Sequence, residues 1–140
     1  MLLIHTKVGP SQIHGSGLFA VDPILRGAPI WRFQAGFDQT FRPYEFASLP
    51  TSARDHTRWY CFVSGETGDV ILSGDHACFL NHSYNPNTGT YPGATGPVAT
   101  VALRDIEVGE ELTCNYWAYD ADTPWKLGLI PPDSRLGQRW

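Results

Sequence analysis

Apolar and polar positions along this chain alternate in short bursts and never settle into a long helical period. Residues 2–8 ("LLIHTKV"), 17–21 ("GLFAV") and 29–33 ("PIWRF") are brief apolar runs bounded by turn residues, the pattern of strands in small sheets. "RPYEFASL" (42–49) has a proline near its start and apolar residues at helical spacing, which predicts one short helix. "RWYCFV" (58–63) is aromatic and strand-like, and "SGETGD" (64–69) is a turn leading to a strand at 70–73. After an asparagine-rich loop and the Gly/Pro stretch 90–97, residues 98–103 ("VATVAL") predict a strand. The run 106–116 ("IEVGEELTCNY") predicts a turn at Gly109 and then another strand. From Asp120 onward, three prolines and two closely spaced aspartates predict irregular wrapping. The expected fold is a mostly β domain of many short strands with one or two short helices.

Composition changes this picture in few places. Fourteen Gly and eleven Pro supply the turns that so many short elements need. A chain of 140 residues is most simply one domain. It can bury roughly two thirds of its unfolded surface, so it needs no covalent staple. Hydrophobic residues at 42% and charged residues at 17% read as an ordinary globular protein rather than a disordered chain. A net charge of −4 excludes nucleic-acid binding through a broad basic face and is compatible with a basic partner such as a Lys-rich tail. Cys61, Cys78 and Cys114 are unevenly spaced, without a C-x-x-C, which predicts reduced thiols rather than a disulfide framework. "MLLIHTK" is too short an apolar run for a signal peptide, and nothing approaches a membrane span. The expected setting is the cytoplasm, or the nucleus in a eukaryotic source, and the sequon at Asn81 is read as unglycosylated.

Four constellations carry candidate chemistry. In "HGSGLFAV" (14–21), Gly15 and Gly17 let the backbone turn tightly and approach a ligand, because no Cβ intervenes. No G-K-[ST] follows, so this is not a nucleotide-phosphate loop. In "HACFLNH" (76–82), His76, Cys78 and His82 are soft ligands without a fourth partner nearby, so no metal is expected and Cys78 is read as a small buried residue. "FLNHSYNPNT" (79–88) concentrates amides that both donate and accept, able to tie crossing segments together or to read a polar ligand. "GEELTCNYWAYD" (109–120) ends in Tyr116, Trp117 and Tyr119, which either line a narrow channel or pack in the core.

Taken in order, a G-x-G turn, then N-H-S-x-x-P-N (81–87), then G-E-E-L-T-x-x-Y (109–116) resembles the SET-domain protein lysine methyltransferases. The resemblance implies a β-clip of small curved sheets, with the N-H-S segment threaded through a loop made by the C-terminal motif in a knot-like crossing. It implies S-adenosyl-L-methionine as cofactor, passing along His14, Gly15, Ser16, Gly17 and Leu18. The Asn81 side chain would hold the cofactor's amino-acid moiety, and the His82 backbone would read the adenine edge. Tyr116 would be the catalytic tyrosine at the transfer point. Tyr60, Trp117 and Tyr119 would line the channel for a lysine-containing protein or peptide. Residues 1–120 would form the domain, with 38–58 as the variable insert and 121–140 as a tail wrapping it. The expected assembly is a monomer or homodimer, with no direct nucleic-acid or membrane partner.

The sequence departs from the family's usual pattern in several places. Cys78 stands where many members have Arg, and Tyr84 where many have Cys. Tyr-Trp-Ala-Tyr-Asp is one residue longer than the common ending, which moves Tyr119 off the register of the second tyrosine. No cysteine clusters flank the motifs, so Trp125 or Trp140 is expected to close the channel. The rival readings are a SET-like module that binds peptide or cofactor without turnover, and a metal-binding β domain built on His76, Cys78 and His82.

Overall fold

The computed structural model describes residues 1–90 and 99–131. Trp140, most of the Gly/Pro stretch 90–97 and the first residue of the strand predicted at 98–103 lie outside the described residues. In chain order the elements are β1 (Thr6–Pro10), β2 (Ser16–Ala20), β3 (Pro29–Arg32), β4 (Gln39–Phe41), α1 (Pro43–Ser48), α2 (Thr51–Tyr60), β5 (Cys61–Val63) and β6 (Val70–Leu72). They continue with β7 (Asn81–His82), β8 (Thr88–Thr90), β9 (Ala99–Ala102), β10 (Glu111–Cys114) and α3 (Thr123–Lys126). Single turns of 3-10 helix stand at His76–Phe79 and Tyr116–Ala118. The strands form one four-stranded and two three-stranded sheets, the mostly β architecture that the short apolar runs predict. The chain divides into two compact units, one from residues 1–38 and 73–115, the other from 39–72 and the segment starting at Tyr116.

The first unit is built on the sheet β1-β2-β10-β7. β1 and β2 make an antiparallel hairpin in which Pro10 pairs with Ser16 and Thr6 with Ala20. Pro10 is tolerated there because it ends an edge strand. Its turn is held by the Ser11 hydroxyl, which accepts the N–H of Ile13 at 2.8 Å and of His14 at 3.2 Å. β10 pairs antiparallel with β2 and parallel with β7, with Thr113 beside Asn81 and Cys114 beside His82. Leu18 and Leu112, side by side across β2 and β10, are fully buried. The second sheet, β3-β9-β8, buries Ile30, Ala102 and Thr88.

Asn87 ties the end of the N-H-S-x-x-P-N run to β10. It is 2% exposed, and its carboxamide behaves like a peptide group laid along β10. Nδ2 donates to the Glu111 carbonyl at 2.8 Å, while Oδ1 accepts the Thr113 N–H at 2.8 Å. The Thr88 hydroxyl donates to the Thr113 carbonyl at 2.8 Å. Backbone groups that a missing strand neighbour would leave buried are thereby paired.

The second unit holds the antiparallel sheet β4-β6-β5. Its core is Phe46, Cys61, Val63 and Val70, with Phe41, Leu49, Leu72 and Ala121 packed against them. α1 forms where the sequence predicts it: Pro43 occupies the first turn and Glu45 accepts the Arg42 N–H at 2.8 Å.

Several expectations are corrected. Residues 58–60 belong to α2, so the predicted strand at 58–63 shrinks to Cys61–Val63. No residue of α2 is fully buried, and its half-buried positions, Ala53, Arg54, Thr57 and Arg58, are small or polar, so "TSARDHTRWY" carried no apolar stripe to betray it. β1 starts at Thr6 rather than residue 2, because Leu2 instead makes an isolated bridge with Trp31. His76 and Cys78 stand on a 3-10 turn, where Cys78 is half-buried rather than the buried residue expected. The tail is not wholly irregular, since α3 begins directly after the aspartate pair.

Candidate functional site

In the first unit, polar side chains converge on the turn before β2. Asn81 is buried on β7, and its Nδ2 lies 3.1 Å from the His14 carbonyl, 3.0 Å from the Ser16 carbonyl and 2.9 Å from Glu111 Oε1. Every neighbour of this nitrogen is an acceptor, which fixes the amide orientation. Among the described residues Oδ1 receives no hydrogen bond. Glu111 is the hub beneath: the Ser11 hydroxyl reaches its two oxygens at 2.8 and 3.0 Å.

Gly17 is required by that hub. A Cβ at this position would sit 2.3 Å from Glu111 Oε1 and 3.1 Å from the Ser11 Cβ. Gly15 has a different reason: its φ is +48°, in the left-handed region, and a Cβ there would meet nothing within 4 Å. One side of the turn is therefore close-packed and the other open. His14 and Ser16 expose their side chains and turn their carbonyls to Asn81, while Leu18 passes into the core. His82 follows Asn81 on the sheet's edge strand, with its ring edge-on to Tyr84 at 4.6 Å, and burial holds its imidazole below the ordinary pKa.

In the second unit, aromatic rings and buried charges gather around β5. Tyr119 packs edge-on against Phe62 at 5.2 Å and against Tyr116 at 6.3 Å. Asp120 is buried: Oδ1 accepts the N–H groups of Val63 and Asp122, each at 3.0 Å, and Oδ2 takes Lys126 Nζ at 2.6 Å. Lys126 also donates to the Cys61 carbonyl, and its ammonium stands 5.6 Å from the Tyr116 ring centre. Asp122 pairs with Arg58 at 2.9 Å, and the Arg58 guanidinium lies 4.0 Å over the Trp125 ring, which also contacts Trp59. Burial pushes the Cys61 thiol up to about 11, so it is no nucleophile.

Among the residues expected at a site, His14, Gly15, Ser16, Gly17 and Asn81 are brought together by hydrogen bonds or backbone contact. Tyr116 and Tyr119 meet in the second unit. Tyr60 closes α2 instead of lying on a strand; it contacts His56, and Trp117 is half exposed. Among the described residues no three His, Cys, Asp or Glu side chains are grouped to hold a metal. Sequence reasoning missed Glu111, Ser11, Phe62 and Lys126. Only Phe62 left a trace, as the alternate position between the apolar Cys61 and Val63.

Comparison with known proteins accords with this geometry. The SET domain family model matches residues 15–117. Histone-lysine N-methyltransferase SET5 of Meyerozyma guilliermondii is 44% identical over 50 residues, covering 34% of this chain and 10% of that protein. The Chaetomium thermophilum Polycomb Repressive Complex 2 bound to GSK126 superposes with a TM-score of 0.64 at 21% identity, over 90% of this chain and 17% of that one. The same complex bound to S-adenosylmethionine in an autoinhibited conformation gives 0.62 at 22% identity, over 90% of this chain and 17% of that one. This chain thus spans only a small part of each of these proteins. The glycine turn, Asn81 with its N-H-S run, and β10 with Tyr116 after it all fall inside the matched residues, and the chain belongs to the SET-domain family.

Proposed function

We propose that the protein transfers methyl groups from S-adenosyl-L-methionine to lysine side chains of a protein. The observation that carries the reading is the Asn81 carboxamide, clamped through its nitrogen to the carbonyls of His14 and Ser16 and to Glu111. That clamp aims a fixed carbonyl oxygen away from its own partners, beside a turn whose Gly15 leaves open space. The donor set fits the cofactor: an acceptor for an ammonium, and a backbone that a ligand can approach without meeting a Cβ. The cofactor, when bound, supplies an electrophilic methyl on a sulfonium.

The chain's own contribution is binding, orientation and desolvation. Asn81, with backbone groups of residues 14–18 and His82, holds the cofactor. The Tyr116 hydroxyl orients the incoming amine, and Tyr119, Trp117 and Tyr60 wall its path. Free lysine, with a pKa of about 10.4, is a poor nucleophile while protonated. An aromatic wall disfavours the ammonium and lowers that pKa. Orientation then supplies much of the barrier reduction, without a metal. The net charge of −4 is compatible with a basic acceptor segment, and the relative named a histone-lysine methyltransferase makes core histones the first acceptor to try.

The test is calorimetry with S-adenosyl-L-methionine, followed by incubation with the methyl-labelled cofactor and core histones and mass spectrometry of labelled lysines. Saturable binding with label on lysine supports the proposal. Binding without transfer to histones or to a whole-cell lysate moves the reading to a non-catalytic binding module, and no binding removes both.

A further inference from the structure

We infer that Lys126 is a positioning residue for Tyr116, the tyrosine to which the proposed function gives the transfer step. The inference rests on that reading for its consequence, and on geometry for its substance. The chain has only two lysines, and this one is withdrawn from solvent, its side chain 12% exposed. An ammonium has three donors. Here one goes to the Cys61 carbonyl and one to Asp120 Oδ2, and the charge stands 5.6 Å from the Tyr116 ring centre, within cation–π range.

Those contacts join three pieces of chain. Cys61 opens β5, Asp120 follows the 3-10 turn that carries Tyr116, and Lys126 ends α3. Asp120 is itself pinned to β5 through the Val63 N–H. A side chain on α3 therefore fixes the turn bearing Tyr116 against the strand whose Phe62 packs on Tyr119. A buried ion pair adds little net stability over well-packed apolar groups of the same size. What it adds is a single geometry, and the group whose geometry it fixes is a phenol that must aim a hydroxyl.

The experiment compares the wild type with Lys126→Met, which keeps length and packing, and Lys126→Arg, which keeps the cation. The full chain is labelled with 3-fluorotyrosine, and the Tyr116 signal is assigned by its loss in Tyr116→Phe. The free protein is measured first, without cofactor or acceptor. Lys126→Met should move the Tyr116 signal more than that of any tyrosine away from this group, and Lys126→Arg should restore it. With labelled cofactor and core histones, Lys126→Met should then lower kcat about tenfold, with the KM for histone nearly unchanged, as loss of orientation alone does. If Lys126→Met does not fold, Lys126→Gln, which retains a donor for the Cys61 carbonyl, takes its place. An unmoved Tyr116 signal overturns the inference, as does a variant destabilised to heat yet equal to wild type in kcat. A wild type that binds no cofactor and labels no protein defeats the proposed function instead, and the fluorine spectra still decide whether Lys126 holds Tyr116.

Discussion

Asn87 lies against Thr113 as a neighbouring strand would, accepting its N–H at 2.8 Å and reaching its hydroxyl with its own N–H at 3.3 Å. One side chain thus substitutes for a run of backbone at the point where β7 and β10 come together. Asn87→Leu would fill the volume but leave the Thr113 N–H and the Glu111 carbonyl buried and unpaired. Each such group costs about 1–3 kcal/mol, so the loss should exceed that of an ordinary polar substitution. Urea unfolding measures it. A change within about 0.5 kcal/mol, the range of neutral surface substitutions, would show that the amide is not structural.

Gly17 and Glu111 should be coupled energetically. Gly17→Ala places a Cβ where the Glu111 carboxylate lies, and the carboxylate can yield only by leaving Ser11 and Asn81. The alanine variant should lose about 1–3 kcal/mol, the cost of overpacking. In a Glu111→Ala background the same substitution should cost much less, because the obstacle is gone. A double-mutant cycle reads this directly, and additivity would mean that the two residues do not meet.

Asn81→Ala should weaken cofactor binding by about 1–3 kcal/mol, since it removes one partner of a polar pair. Asn81→Asp is the sharper comparison. It keeps the shape but brings a carboxylate toward the His14 and Ser16 carbonyls and Glu111, where only a donor is welcome. That variant should lose stability as well as affinity. Calorimetry with S-adenosyl-L-methionine on folded protein checks both, and equal affinity in Asn81→Ala would remove Asn81 from the site.

His82 gives a pH dependence with a definite sign. Burial lowers its pKa below the ordinary 6.5, so the neutral ring is the folded form. A group depressed in this way contributes stability that is fully present above its unfolded value and is lost as pH falls through the folded one. The urea midpoint of the wild type should therefore drop between pH 7 and 5 more steeply than that of His82→Gln. Parallel slopes would show that the ring titrates alike in both states.

The sheets were legible because their signal is local. Runs such as "GLFAV" and "EELTC" are short apolar stretches bounded by turn residues, and Leu18 and Leu112 stand opposite one another, fully buried. The glycine turn and Asn81 were legible through the order of their motifs. α2 was not, because the face it turns inward, Ala53, Arg54, Thr57 and Arg58, is small or charged rather than apolar. Glu111 and Lys126 were invisible for another reason. Glutamate on a strand and lysine in a tail read as solvated charge, and only the fold brings one to Asn81 and the other to Asp120. Burial of a charge is a tertiary property, so no window of sequence reports it.

Tyr116→Phe separates chemistry from packing. The ring touches Tyr119 and faces the Lys126 ammonium, and phenylalanine preserves both relations. Folding and cofactor affinity should therefore change little. The hydroxyl alone is lost, and removing one preorganised hydrogen-bond partner from a transition state costs about 2.7–4 kcal/mol, or roughly 10²–10³ in rate. Single-turnover transfer from labelled cofactor to histone, measured on folded and cofactor-saturated variant, isolates that step from binding and release. A core role for Tyr116 predicts the opposite pattern: a lower thermal midpoint and near-normal turnover. Should the rate of Tyr116→Phe stay within a few-fold of wild type, the hydroxyl does not act in the transfer, and the catalytic role passes to another group near the amine.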